Sequence, residues 1–145
     1  MAGFIVLEDG RAYAANNWSY DAVIERIARA LPETGAGRAL SDWLMDQRSV
    51  VQGAGLGSVD LRELAPGDQR LFVEAVEKAI ITTEEEGPEG WCDPAFYPGW
   101  LESFHDLLRM IASIRRGEPP TAFNPHMKDV IPPSGERAGP GWGDG

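Results

Sequence analysis

Cysteine is nearly absent from this chain of 145 residues: Cys92 stands alone. One thiol can form neither an internal disulfide nor a cysteine-based zinc site, so no oxidising compartment is required. Histidine is almost as scarce, and His105 and His126 are too far apart in sequence to form a local metal pair. Basic residues are outnumbered, 13 Lys and Arg against 23 Asp and Glu, for a net charge of -10. That balance disfavours nucleic-acid backbones and anionic membrane surfaces as partners and favours a basic one. No run approaches the roughly 20 apolar residues of a membrane span. The opening Met1-Ala2-Gly3-Phe4-Ile5-Val6-Leu7-Glu8-Asp9 has no basic leader and soon meets acid, unlike a signal peptide or an anchor. The expectation is a cytoplasmic protein with no membrane and no direct nucleic-acid contact. With 43% hydrophobic residues the chain can nonetheless bury a full core.

Catalytic motifs are missing as well. Gly53-x-Gly55-x-Gly57 lacks the spacing of a dinucleotide fingerprint and has no Gly-Lys-Ser/Thr after it, so it reads as a flexible turn. None of the serines sits in a Gly-x-Ser-x-Gly elbow. Cys92 lies in acidic surroundings that would not stabilise a thiolate. His105 and Asp106 are helix neighbours and point about 100° apart. Asp42 and Asp46, one turn apart, supply only two of the several oxygen ligands a hard cation needs. The expectation is a protein that is not an enzyme and uses no metal or cofactor.

What is present is a clear order of elements. Phe4–Leu7 and Arg11–Ala15 read as two strands joined at Asp9-Gly10, a strong hairpin signal in which Gly10 takes the positive φ. Ser19 reads as a helix cap, with Trp18 and Val23 placed as a hydrophobic staple. The helix from Ser19 to Leu31 carries Tyr20, Val23, Ile24, Ile27, Ala28 and Leu31 on one face. A second helix, Arg38–Gln47, has Leu40 and Leu44 bracketing a buried Trp43. The alternation over Val59–Leu64 predicts a third strand beside the hairpin. Pro66 and Asp68 open the cleanest amphipathic helix, 67–82, which reads as the central one. A last helix over 99–116 buries Leu101, Phe104, Leu107, Leu108, Ile111 and Ile114 and stops at Gly117. The predicted class is α+β: a short antiparallel sheet packed against about four amphipathic helices in one domain, 1–117. Residues 118–145 hold six prolines and five glycines and read as an extended tail that wraps on the body or on a neighbouring chain.

Charge is unevenly spread. Between Lys78 and Arg109 there is no basic residue, while Glu84, Glu85, Glu86, Glu89, Asp93, Glu102 and Asp106 are acidic, so this stretch carries most of the net charge of -10. Trp91, Phe96, Tyr97 and Trp100 are interleaved with it. Carboxylates steer a basic partner over long range and aromatics anchor it. The candidate partner-binding residues are therefore Glu84, Glu85, Glu86, Glu89, Trp91, Asp93 and Tyr97. The competing explanation is a solvated charge run followed by aromatics that complete the core.

Phe4-Ile5-Val6-Leu7-Glu8-Asp9-Gly10-Arg11, Trp18, Arg38-Ala39-Leu40-Ser41-Asp42-Trp43-Leu44 and Val59-Asp60-Leu61-Arg62-Glu63-Leu64 resemble small immunity proteins of bacterial polymorphic-toxin and contact-dependent growth-inhibition systems. The resemblance spans residues 4 to 80 and excludes the tail. It implies a protein that binds one cognate toxin domain, often a nuclease, and blocks its active site or substrate surface. Nuclease toxins hold polyanions and are commonly basic, which suits an acidic inhibitor. Two other classes stay open: a non-catalytic oligomerising or adaptor module that uses the tail, and a small ligand-binding domain or enzyme.

Overall fold

The computed structural model describes residues 2–52, 57–90, 94–118 and 127–130. The chain runs β1 (Ala2–Val6), β2 (Arg11–Asn16), α1 (Asn17–Ala30), α2 (Gly35–Asp46), α3 (Ser49–Gln52), β3 (Ser58–Asp60), a short 3-10 turn (Leu61–Glu63), α4 (Pro66–Glu86), two further 3-10 turns (Pro88–Gly90 and Pro94–Phe96), α5 (Tyr97–Arg115) and β4 (Met127–Val130). This is the α+β arrangement of a small sheet packed against helices.

β1 and β2 pair antiparallel from Ala2 opposite Asn16 to Val6 opposite Ala12. Their turn closes with Gly10 N donating to Leu7 O and Leu7 N donating to Arg11 O, both at 2.9 Å. Gly10 has a φ of 95°, the conformation that favours glycine. A third strand does join the hairpin, but its direction differs from the expected antiparallel one. β3 runs parallel to β1, with Ile5 opposite Val59: the chain leaves β2, passes through three helices and returns on the far side of β1, antiparallel to β2 and so in the direction of β1. β3 is also shorter than the alternation suggested. The Asp60 side chain accepts from Arg62 N at 3.0 Å and turns the backbone into the 3-10 segment.

The sheet has four strands in the order β3-β1-β2-β4. β4 comes from the segment read as a tail and pairs antiparallel with β2, with a register irregularity between Ala12 and Tyr13. The tail anchors Phe123, Ile131 and Trp142, and also Cys92, His126, Gly53 and Gly55, lie outside the described residues.

Ile5, Leu7, Tyr13, Val59 and Leu61 from the strands and the turn after them meet Tyr20, Val23, Ile24 and Ile27 of α1 in one core. Phe72, Val76 and Ile80 of α4 and Phe104, Leu107 and Ile111 of α5 complete it. The central helix is α1 rather than α4: it touches β1, β2, α2, α3 and α4. Its cap is Asn16, not Ser19, with Asn16 Oδ1 accepting from Ser19 N at 2.8 Å. The helix thus starts earlier than expected, so Trp18 falls inside its first turn, 47% exposed. Trp43 is only half-buried between the buried Leu40 and Leu44. On α5, Leu101, Leu108 and Ile114 are half-buried, while Trp100, Ser103, Asp106 and Met110 are buried, so the inward face is rotated from the expected stripe. α5 ends in a Schellman turn, Glu118 N donating to Ser113 O and Gly117 N to Ile114 O, both at 3.0 Å.

Candidate functional site

α4 and α5 run side by side in opposite directions, so the C-terminal turn of α4 lies near the first turns of α5. Gly87, with φ 69°, ends α4 and donates its N–H to Thr83 O at 3.0 Å. The Tyr97 hydroxyl donates to the same carbonyl at 2.8 Å. Trp100 Nε1 donates to Ser19 O at 3.3 Å and its ring lies 5.3 Å from that of Phe104, which ties α5 to the start of α1.

The Glu triplet stands on this end of the helix pair. Both oxygens of Glu86 accept from Arg26 Nη1 on α1 at 3.0 Å. Glu84 Oε2 lies 3.6 Å from His105 Nε2. Glu85 is exposed and pairs with no other described residue, and Glu89 is exposed on the 3-10 turn that follows. Glu102 and Asp106 share Arg109, whose Nη1 donates to both. The local excess of negative charge is therefore partly offset by Arg26, a pairing across 60 positions that no local pattern in the sequence signals.

Trp91 and Asp93 lie outside the described residues. Tyr97 is not presented as an anchor: it is 7% exposed, and burial, with Glu84 and Glu86 nearby, raises its pKa. It is buried, with its hydroxyl tied to the end of α4. The exposed apolar side chains at this end are Phe96, 63% exposed, and Ile81, 58% exposed. Phe96 was legible only as one of several aromatics. Its exposure follows from its place just before α5, where Tyr97 and Trp100 take the inward positions.

Other candidates resolve into structural roles. Asp106 turns inward while His105 stays half-buried beside Glu84, so the two do not act on one another. Asp42 pairs with Arg38 one turn away at 3.2 Å. Among the described residues, no three His, Cys, Asp or Glu side chains converge as a metal ion would need. No described helix is long and apolar enough to cross a membrane. Gly57 is a packing position rather than a flexible turn: with Gly3 on the neighbouring strand it makes room for the Tyr20 ring, which a Cβ at either place would overlap.

Comparison with family models, with curated proteins and with solved structures gives no match.

Proposed function

We propose that this protein is an inhibitory binding protein of the immunity kind, which neutralises a basic toxin domain, of the nuclease class, through the acidic end of the α4–α5 pair. The observation that carries this reading is the position of Glu84, Glu85 and Glu86 in the last turn of α4, which contains no basic residue. The macrodipole is negative there, so each carboxylate opposes helix stability by about 0.3–1 kcal/mol at low ionic strength. Of the three, only Glu86 is offset by an arginine. Charge held on the surface at a cost to its own helix is the arrangement a docking surface for a basic partner calls for. Glu85 and Glu89 supply uncompensated charge for steering, and Phe96 and Ile81 supply apolar contact beside it. Trp91 and Asp93 extend the same loop in sequence. Such a protein acts in the cytoplasm by occupying its partner's surface and needs no catalysis, metal or cofactor of its own.

Affinity purification of the tagged protein from its host at low and high salt tests this, with a Glu84→Lys/Glu85→Lys variant in parallel. A basic domain that is recovered with the wild type, released by salt and absent with the variant is the expected result. Recovery of the same proteins with both forms contradicts it.

A second reading has one observation in its favour. β4 is an edge strand drawn from beyond residue 118, an arrangement that two copies could exchange. Deletion after Glu118 would then change the oligomeric state and leave any complex with another protein intact.

A further inference from the structure

At the other end of the α4–α5 pair, the surface opens into a groove of about 300 Å³. Its floor is apolar and comes from four parts of the chain: Leu7 at the β1–β2 turn, Leu61 after β3, Val73 on α4, and Ile111 and Ile114 on α5. Leu7 and Leu61 are buried core residues, so the floor is continuous with the packed interior. One wall is fixed by Gln69, whose side-chain amide donates to Leu61 O at 2.9 Å and to Leu64 O at 3.0 Å.

The rim is unusual for a chain of net charge -10. Arg70 and Arg115 stand on it against one acid, Glu8. Arg11, Arg26, Arg48, Arg62 and Arg109 are each held by a carboxylate at 3.0 Å or less. Arg70 forms no ion pair with another described residue, and Arg115 Nη1 donates to Glu77 Oε1 at 3.4 Å, a long, exposed pair that a ligand carboxylate can displace or share. An apolar floor, one unpaired guanidinium group and one weakly paired one thus coincide in one concavity.

We propose that this groove binds a small organic carboxylate, its apolar body seated on Leu7, Leu61, Val73, Ile111 and Ile114 and its carboxylate met by Arg70 and Arg115. A guanidinium suits a carboxylate because its planar donors can engage both oxygens. The volume is at the lower end for small-molecule sites and takes a body of about ten non-hydrogen atoms. The site is independent of the acidic end. Arg70 and Glu85 are separated by about 22 Å along α4 at the helical rise per residue.

NMR titration of the full chain with octanoate and with hydrocinnamate, beside the neutral hydrocinnamamide, tests the site. Both acids should give saturable shifts centred on the amides of Leu61, Val73, Ile111 and Ile114. An Arg70→Gln/Arg115→Gln variant, altered only at exposed positions, should raise Kd by about tenfold. The neutral amide should bind the wild type about as weakly as the acids bind that variant. Glu8→Gln should tighten binding by about twofold, and Val73→Phe should block it by filling the groove. Absence of a saturable shift from either acid, shifts centred elsewhere, or equal binding by acid and amide or by wild type and the arginine variant would overturn the assignment.

Discussion

Tyr20 occupies the space left by Gly3 on β1 and by Gly57 just before β3, and its hydroxyl donates to Gln47 O at 2.9 Å. One ring therefore joins the start of α1 to the sheet and to the end of α2. A methyl at residue 57 has no room, because its nearest neighbours are the Tyr20 ring and the backbone of Ser49. Gly57→Ala should cost about 1–3 kcal/mol, the usual penalty of overpacking, measured by denaturant unfolding. Thr83 presents the opposite case. Its carbonyl accepts from Gly87 and Tyr97, yet its buried Oγ1 has no hydrogen-bond partner. Thr83→Val keeps the shape and removes the unsatisfied atom, so it should stabilise the protein by about 1 kcal/mol in the same assay. Arg11 shows how a charged residue can be interior: its guanidinium donates to Asp9 Oδ2, Ser113 Oγ and Glu118 O. None of these roles was legible in the sequence, where residue 57 looked like a turn glycine and Arg11 like an ordinary strand residue.

At the scale of elements, the helices were the most legible parts. Their apolar spacing identified the buried face of α1 residue by residue and α4 as an amphipathic helix, and Gly117 marked the end of α5. The direction of β3 was hidden because parallel pairing depends on the path of the intervening helices, not on the strand's own residues. α3 was missed because its four residues are too few to show a period, and its start is held from outside, by Asp21 accepting from Ser49 N and Ser49 Oγ at 2.7 Å. The candidate site was half legible. The acidic run and its exposure could be read, but a tyrosine serves equally in a core or an interface, and only the packing of α5 against α4 decides for Tyr97. The Glu triplet gives the sharpest test at this scale. Glu84→Lys/Glu85→Lys exchanges repulsion at the helix end for attraction, so Tm should rise by a few degrees while partner association slows. A change in Tm with no change in association would place the interface elsewhere.

Across the whole molecule, all three tyrosines are buried, two of them in the one core. Burial pushes Tyr13 up to about 12, with Asp106 adding to the shift against a hydrogen bond to Ser103, and burial likewise raises Tyr20 and Tyr97. An acid whose folded pKa is raised contributes stability that is complete below its unfolded pKa, near 10 for tyrosine. That contribution is lost as pH climbs through the folded value. Absorbance of tyrosinate should therefore show no ionisation near the ordinary value, then one step at higher pH that coincides with loss of the circular-dichroism signal. Separate early ionisation of one tyrosine would contradict the packing described.

The molecule also has unlike ends, carboxylates at one end of the α4–α5 pair and the guanidinium groups of Arg70 and Arg115 at the other, and the central claim concerns the first. The most direct measurement is the association rate of the recovered basic domain as a function of ionic strength, for the wild type and for Glu84→Lys/Glu85→Lys. The wild-type rate should fall steeply with salt, and the variant should start slower and show a flatter dependence. Equal rates and equal slopes would contradict an acidic docking surface at the end of α4.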